Sequence, residues 1–372
     1  MTKSISGCVL TPNGWVRGTL RFDTRIAALE GRSVAAPEAG EARILPGFID
    51  LHVHGGGGRD VMEGGDAIDV IARLHASHGT TSLLATTMTD TRQRIEHALT
   101  GIRRVIDARP AGTSRVLGVH LEGPFISARR LGAQPPETRP GTLDEVFDLH
   151  RLATIRVLTL APETPGHLEL IAALSAAGIR PQLGHSAGTY EEGVEALDAG
   201  AAGFTHLFNA MTAFHHREPG MVGAALAHAD YAEVIPDLLH VHPGAIKAAC
   251  RAIPHVYCVT DSTAGAGMPD GNYFLGTQPV TKCLGGIRLA DGTLAGSILT
   301  MDQALRNLVS IGLPLEDAAR RTSTFPADYL GESERGRLQP GAWADIVVLD
   351  DALCLTDVFV EGESIEPAPA TH

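Results

Sequence analysis

The 372-residue chain has few cysteines, few aromatic residues and no long apolar run. Its five cysteines are scattered and never form a C-x-x-C pair, which argues against a disulfide scaffold and a cysteine-rich metal site. No stretch of about 18 or more apolar residues occurs, so we expect no transmembrane helix. The start, MTKSISGCVLTPNGW, has no basic segment followed by an apolar one. We therefore expect no signal peptide, and a cytoplasmic protein with reduced thiols.

Positive charge is also scarce. The chain has 30 Lys and Arg against 43 Asp and Glu, a formal net charge of −13 at pH 7. Such an acidic chain is poorly suited to bind nucleic acid or an anionic membrane, so we expect neither as a partner. An anionic small molecule would have to be held by a few local cations against the overall field.

The middle of the chain alternates short apolar runs with helix-like segments. Segments such as DAIDVIARLHASHG and TYEEGVEALDAG place apolar residues at helical spacing. Strands that alternate with helices form a parallel sheet with helical crossovers. Eight such repeats predict an α/β fold, a (β/α)8 TIM-type barrel. The eight apolar runs are residues 48–55, 80–88, 115–124, 155–163, 179–186, 202–211, 233–242 and 255–263.

The two ends of the chain have a different texture. Residues 1–45 read as short strands with the hairpin signal PNG, and residues 337–372 return to short β-like runs. Neither end holds enough apolar surface to fold alone, so we expect one small β domain built from both termini. The predicted division assigns 1–45 and 337–372 to the small domain and 46–336 to the barrel.

Ionisable residues lie where the predicted strands end. The active sites of such barrels lie at the C-terminal ends of the strands, so these side chains should meet at one rim. Burying that many ionisable groups without a metal or mutual pairing would be costly. The residues are His52, His54, Glu122, His185, His206, His240 and Asp261.

Imidazoles combined with carboxylates predict one or two divalent metal ions, with Zn²⁺ as the first choice and Fe²⁺, Mn²⁺ or Co²⁺ as alternatives. His52 and His54, taken alone, could instead be core residues whose ring nitrogens are satisfied by hydrogen bonds within the protein. The glycines at 55–58 would let backbone approach the metal and substrate closely. The predicted ligand sets are Glu122, His185 and His206 for one ion, and His52, His54 and Asp261, with Glu122 as a bridge, for a second.

Several motifs resemble one known family. PGFIDLHVHG, HLEGPF, LGHSAGTYEE, THLFNAM, REPG, VTDSTAGAG and LAGSILTMDQALRN look like those of N-acetylglucosamine-6-phosphate deacetylases, in the amidohydrolase superfamily. The resemblance runs from about residue 44 to the end of the chain. It implies hydrolysis of N-acetyl-D-glucosamine 6-phosphate to glucosamine 6-phosphate and acetate, by attack of metal-bound hydroxide on the acetyl group.

The resemblance also implies a role for each matching residue. Glu122, His185 and His206 would hold the main metal, and Asp261 would act as general base and then acid. Arg217 would bind the phosphate, in its own site or in that of a partner subunit in a homodimer. The implied substrate contacts are Ala133, Gln134, Asn209, Ala210, Arg217, His240, Leu294, Ala295 and Gly296.

Two features bear on how far the family pattern holds. Some members replace the first two histidines and bind a single metal, whereas His52 and His54 are both present here, which favours two ions. Many members have a KKGAH-like segment where this chain has RRLGAQ. Gln134 therefore stands in place of a histidine, so hydrogen bonding can survive but a positive charge cannot.

Other functions stay open at this stage. A galactosamine isomer of the substrate differs at one hydroxyl, and no single residue decides between the two. A different hydrolase on the same scaffold, a cyclic amidase or a dipeptide deacylase, is the nearest rival outside the deacetylases. Dihydroorotase- and hydantoinase-like relatives typically bridge two metals with a modified lysine on strand four, and IRVLTLAPE has none. An inactive scaffold homologue is the last alternative, and retention of the rim residues argues against it.

Overall fold

The computed structural model describes residues 2–369 and contains twenty strands and ten α-helices. The strands are β1 Lys3–Thr11, β2 Gly14–Phe22, β3 Ile26–Ser33, β4 Arg43–Pro46, β5 Phe48–Val53, β6 Gly55–Gly56, β7 Arg59–Asp60, β8 Thr80–Thr86, β9 Arg115–Glu122, β10 Ile155–Leu160, β11 Arg180–Leu183, β12 Gly203–Phe204, β13 Tyr231–Val234, β14 His255–Cys258, β15 Gly271–Leu275, β16 Gln278–Cys283, β17 Gly286–Arg288, β18 Ile346–Leu349, β19 Leu355–Val360 and β20 Glu363–Ile365. The helices are α1 Ala67–Ser77, α2 Arg92–Asp107, α3 Leu143–Leu152, α4 His167–Ala176, α5 Tyr190–Asp198, α6 Gly220–His228, α7 Pro243–Ala252, α8 Met301–Ser310, α9 Leu315–Ala319 and α10 Phe325–Leu330.

Eight parallel strands form the barrel that the sequence predicts. They are ordered β5, β8, β9, β10, β11, β12, β13 and β14, and one helix, α1 to α8, follows each of them. The barrel closes where the chain after β14 runs beside the end of β5. There Val53 pairs with Ser262 in parallel, and the Asp261 amide donates to the His52 carbonyl at 2.9 Å.

Helix α2 shows how the outer layer is built. Its buried side chains include Ile95, Leu99, Ile102 and Val105, spaced by three or four residues, so they share one face. Each large apolar side chain buried in this way contributes about 1.5–3 kcal/mol relative to its exposed state. The apolar faces of the helices therefore hold the barrel in shape around its rim.

The seventh barrel strand lies earlier in the chain than the sequence predicts. The predicted run is 233–242, but β13 spans Tyr231–Val234. Pro236 follows two residues later, and its ring has no amide hydrogen to continue the ladder. His240 therefore lies in the loop beyond the strand, not at its end as expected, and Glu233 occupies the strand instead.

Strands from the two chain ends form a separate seven-stranded sheet, ordered β20-β19-β18-β4-β1-β2-β3. The predicted hairpin is confirmed, with Thr11 paired to Gly14 across a two-residue turn. The sheet has a core of its own, to which both ends contribute; the rings of Phe22 and Phe359 meet at 5.0 Å between centroids. The exact domain boundaries stay a prediction.

A small antiparallel sheet, β15-β16-β17, is inserted between β14 and α8. Arg288 and Leu294 pair across a turn that contains Asp291 and Gly292, residue types typical of hairpin turns. In the part of the chain that the structure describes, no helix is both long and apolar enough to cross a bilayer.

Candidate active site

The six predicted metal ligands meet at the rim where the barrel strands end. All are buried, with Asp261 the most exposed at 8%. The strands end at or just before these residues, so their side chains can turn across the barrel. His52 lies in β5 and His54 follows it, Glu122 ends β9, and His185, His206 and Asp261 follow β11, β12 and β14 within three residues.

Glu122 is the centre of the first group. Its Oε1 lies 3.2 Å from His185 Nε2 and 3.1 Å from His206 Nε2, and these two nitrogens are 3.1 Å apart. Bonds of ~2.1 Å in tetrahedral geometry place ligand atoms roughly 3.4 Å from one another. The three atoms therefore have close to the spacing of ligands around a single ion.

A second group shares Glu122. The Nε2 atoms of His52 and His54 are 3.1 Å apart, and His54 Nε2 lies 3.2 Å from Glu122 Oε2. Asp261 Oδ1 lies 3.5 Å from His52 Nε2 and 3.3 Å from His54 Nε2. The Glu122 carboxylate thus faces both groups and has the position of a bridging ligand.

The outward ring nitrogens fix how these histidines face the centre. Nδ1 of His54 contacts the Thr86 carbonyl at 3.2 Å, and Nδ1 of His185 contacts the Arg130 carbonyl at 2.9 Å. A carbonyl only accepts, so Nδ1 carries the hydrogen, and in the neutral ring Nε2 presents a lone pair inward. Such inward lone pairs suit a bound cation.

The charges in the cluster attract a cation. Burial alone would raise the pKa of Glu122, but the imidazoles of His52, His185 and His206 hold it well below its usual value. Burial would lower the pKa of His54, but hydrogen bonds with Asp261 and Glu122 raise it to about 9. The carboxylates therefore draw positive charge into the site, and a metal ion would displace the proton.

Three of the six residues have unusual backbone angles. His185, His206 and Asp261 have φ values of 46°, 29° and 51°, in the left-handed region that residues with a Cβ rarely adopt. Such a conformation costs on the order of 1–3 kcal/mol and persists only where the surroundings impose it. Its repetition at the ends of three strands marks this rim as the functional face of the barrel.

A cavity of about 430 Å³ opens from the cluster. Two of the predicted substrate residues stay outside its lining: Ala295 is fully buried, and Arg217 lies on an exposed loop. The predicted substrate residues that do line it are Ala133, Gln134, Asn209, Ala210, His240, Leu294 and Gly296.

Arg217 contacts its own loop in this chain. Its Nη1 donates to His216 Nε2 at 2.8 Å, and its amide hydrogen-bonds to His215 Nδ1 at 3.3 Å. The three residues form an exposed basic group between β12 and α6. Its role in binding phosphate stays a prediction.

His240 lines the cavity from a loop. Its Nδ1 lies 2.7 Å from Asp237 Oδ2. Burial would lower the pKa of His240, but this hydrogen bond raises it above its usual value. The pair therefore presents a ring whose outer nitrogen can donate a hydrogen bond into the cavity.

Gln134 is oriented by the protein itself. Its Oε1 accepts from the Thr89 amide at 2.7 Å, so its NH₂ group points to Glu122 Oε2 at 2.5 Å. Where the sequence resemblance implies a histidine, this chain has an amide, and it contacts the predicted metal ligand Glu122. The carbonyl end is occupied by backbone, which leaves the NH₂ group as the part facing the site.

The glycines after His54 let their loop pack closely against neighbouring segments of the chain. A Cβ on Gly55 would lie 2.5 Å from the Arg59 carbonyl oxygen, and one on Gly56 would lie 2.6 Å from Leu74. The expected close approach therefore involves neighbouring chain segments, and not the metal ligands.

Sequence reasoning missed two residues of this site. Glu233, on β13, is fully buried below the cluster, and its Oε2 lies 3.0 Å from His52 Nδ1. Arg288, at the end of β17, is the one Arg or Lys among the described residues that lines the cavity. An acidic residue on the correct seventh strand was a signal for the first, whereas no local pattern marked the second.

The comparisons with known proteins agree with this geometry. A family model described as the amidohydrolase family matches residues 43–365. The chain is 40% identical to N-acetylgalactosamine-6-phosphate deacetylase of Escherichia coli O157:H7, over 95% of this chain and 97% of that protein. It is 38% identical to N-acetylglucosamine-6-phosphate deacetylase of Lysinibacillus sphaericus, over 86% of this chain and 84% of that protein.

A solved structure is also similar over nearly the whole chain. It is a variant of N-acetyl-D-glucosamine-6-phosphate deacetylase from Mycobacterium smegmatis, in complex with N-acetyl-D-glucosamine-6-phosphate. The TM-score is 0.91 at 34% identity, covering 98% of this chain and 99% of that one. The resemblance read from the sequence motifs is confirmed.

Proposed function

The chain belongs to the amidohydrolase family, and from that premise we propose that it removes the acetyl group from N-acetyl-D-glucosamine 6-phosphate. The products are D-glucosamine 6-phosphate and acetate. The observation that carries the proposal is the buried group of Glu122, His185 and His206, whose ligand atoms meet within 3.2 Å at the floor of the cavity. Relatives with this fold are named for the same reaction.

We propose Zn²⁺ as the ion, because neutral imidazoles with a shared carboxylate are its preferred donors. Fe²⁺, Mn²⁺ and Co²⁺ can bind the same donors and are the alternatives. A bound ion would polarise the amide carbonyl and lower the pKa of a bound water towards ~7. Glu122, His185 and His206 would hold one ion, and His52, His54 and Asp261 a second.

Asp261 is the proposed proton carrier. Its Oδ1 lies at the junction of the cluster and the cavity, within 3.5 Å of two imidazole nitrogens. A carboxylate placed there can take a proton from the attacking water and then protonate the amine as the C–N bond breaks. An unprotonated amine is a poor leaving group, so one residue must do both in turn.

Other cavity residues would orient the substrate. His240, steadied by Asp237, can donate a hydrogen bond to the acetyl oxygen or a sugar hydroxyl. Arg288 can place its guanidinium on the phosphate, since one of its nitrogens already donates to the Gly292 carbonyl at 3.1 Å and so fixes the side chain at the cavity wall. Leu294 and Gly296 would contact the sugar ring.

We propose a homodimer in which Arg217 reaches the neighbouring subunit's site. Arg217 lies outside the cavity of its own chain, and nearby Phe214 is 57% exposed, as expected for a surface that a second subunit would cover.

We also propose a cytoplasmic location, which fits the five cysteines, all free thiols in the structure.

The galactosamine isomer is a second candidate substrate. The 40% identical relative from Escherichia coli O157:H7 is named for that isomer. The two sugars differ at one hydroxyl, so both would place the acetamide and the phosphate alike.

Acetate release from the two isomers, each with and without the phosphate, tests the proposal. We expect a large preference for a phosphorylated sugar and a measurable preference for the glucosamine form. Faster turnover of the galactosamine form would replace the first candidate with the second. Absence of acetate from all four, in protein with bound metal, would contradict deacetylation of amino sugars.

A further inference from the structure

Glu233 is a buried carboxylate that the proposed reaction does not use directly. It lies on β13 with none of its surface exposed. In residues 2–369 no Lys or Arg forms an ion pair with it; its nearest ionisable neighbours are the imidazoles of His52, at 3.0 Å, and His120, at 3.9 Å. A buried charge without a fixed counter-ion is costly, so its retention at this position needs an explanation.

Glu233 is the acceptor in its hydrogen bonds. Oε1 accepts from the Tyr257 hydroxyl at 3.3 Å, and that oxygen in turn accepts from Gln182 Nε2 at 2.6 Å. Gln182 can donate in this way because its own Oε1 accepts from the Thr205 hydroxyl at 2.9 Å. The chain of donors therefore ends on Glu233, which must be an acceptor only, and hence ionised.

The other carboxylate oxygen touches both groups of the cluster. Oε2 lies 3.0 Å from His52 Nδ1 and 3.1 Å from the backbone amide of His206. Accepting from Nδ1 keeps the hydrogen on that nitrogen and leaves the Nε2 lone pair of His52 facing His54 and Asp261. Accepting from the His206 amide supports that residue in its left-handed conformation, at φ 29°.

We propose that Glu233 is a positioning residue that acts through His52 to hold a second cation, the one bound by His52, His54 and Asp261. The inference rests on the proposed function, because it concerns the same cluster. Glu233 supplies the negative charge behind His52, and the cation in front of His52 supplies the counter-charge that the barrel interior lacks. His206 binds its ion through a side chain that Glu233 does not touch, so the first group depends on Glu233 much less.

Metal binding tests this without any catalytic assay. Chelator-treated protein is dialysed against graded Zn²⁺, and bound metal per chain is measured by elemental analysis. The variants are Glu233→Gln, which keeps the shape but not the charge, His52→Ala, and the double variant. Tyr257→Phe is the control, because it removes the donor to Oε1 and leaves the bond to His52.

We expect two ions on the unaltered chain and on Tyr257→Phe. Glu233→Gln should keep the first ion and weaken the second by about 10–100-fold, the usual effect of removing a partner of a metal-bound histidine. In the His52→Ala background, Glu233→Gln should change nothing further, because its effect passes through His52. If Glu233→Gln does not fold, as judged by circular dichroism, Glu233→Asp replaces it, since its shorter side chain cannot reach Nδ1.

Three results with the variants would overturn the proposal: unchanged affinity for the second ion, equal weakening of both ions, or a further loss in the His52→Ala background. A chain that binds one ion even at saturating Zn²⁺ would overturn it as well. Failure of deacetylation is a separate outcome, visible as bound metal without acetate release, and leaves this test standing.

Discussion

Carboxylates at the two ends of the barrel have different partners, arginines at one end and histidines at the other. Where the strands begin, Asp345 and Glu361 pair with Arg335, and Arg115 adds a second guanidinium, its Nε 2.8 Å from Glu361 Oε1. Where the strands end, Glu122 and its neighbouring carboxylates face imidazoles. A guanidinium is always charged and stays in place, so the first arrangement is complete in the folded chain.

Imidazoles leave the second arrangement open. They can give up their protons to let a metal ion enter, and an arginine cannot. Arginines join the terminal sheet to the start of the strands and so contribute to stability. At the other rim a cation that can exchange would complete the site and serve its function.

The largest effect should come from Glu122→Gln. Loss of the shared ligand removes the main cation, and with it several kcal/mol of transition-state stabilisation, so turnover should fall by at least about 10³-fold. The matched change at the other end, Glu361→Gln, should leave metal content and turnover unchanged. Normal metal content in Glu122→Gln would contradict the ligand assignment.

Asp261→Asn should lower kcat by about 10²–10⁴-fold, the usual contribution of a general acid–base group, with a much smaller change in KM. Steady-state acetate release measures both. If KM rose while kcat stayed normal, Asp261 would be a binding residue and the proton would have another carrier.

Glu361→Gln should lower the free energy of unfolding by on the order of 3 kcal/mol at neutral pH. Burial would raise the pKa of Glu361, but hydrogen bonds from Arg115 and Arg335 lower it to about 2. Its folded pKa lies below the usual value of about 4.3, so its stabilisation is present above that value and is lost as the pH falls towards 2.

Denaturant unfolding measured between pH 6 and pH 2 checks the sign of this effect. The unaltered chain should lose more stability over this range than Glu361→Gln does. Parallel pH profiles for the two proteins would show that the pairing with arginine does not stabilise the fold.

Arg288→Met should have the smallest effect, on substrate selection alone. A hydrogen bond to a charged group contributes about 1.5–3 kcal/mol, so KM for the phosphorylated sugar should rise by about 10–100-fold. KM for the sugar without phosphate should stay the same. An equal rise for both would place the phosphate elsewhere.

Arg217→Met sharpens the same point for the proposed homodimer. If the neighbouring subunit supplies Arg217, KM for the phosphorylated sugar should rise in this variant too, and sedimentation should show a dimer. A monomer with unchanged KM would remove Arg217 from the phosphate site.

The barrel and the meeting of six ionisable residues at its rim could be predicted from the sequence, because both depend on local pattern. Strands and helices alternate with clear apolar periods, and His52 and His54, two residues apart on a strand, must point to the same side. In a barrel the ends of the strands lie at one rim, so Glu122, His185, His206 and Asp261 are expected to lie there together.

The residues that escaped prediction depend on tertiary structure. The apolar run 233–242 hid the true seventh strand, so Glu233 was read as its beginning and His240 as its end. Arg288 reaches the cavity from a sheet inserted after the barrel, and nothing in GGIRLADGTLAGS indicates where that sheet packs. The backbone angles of His185, His206 and Asp261 also require the closed barrel, which imposes them.

The most direct test of the central claim is acetate release from N-acetyl-D-glucosamine 6-phosphate by chelator-treated protein as Zn²⁺ is added back. We expect no turnover at the start and a rise that follows metal content, up to full occupancy of the Glu122, His185 and His206 group. Full turnover in protein shown to contain no metal would contradict it, because the buried carboxylates of the rim would then not depend on an exchangeable cation.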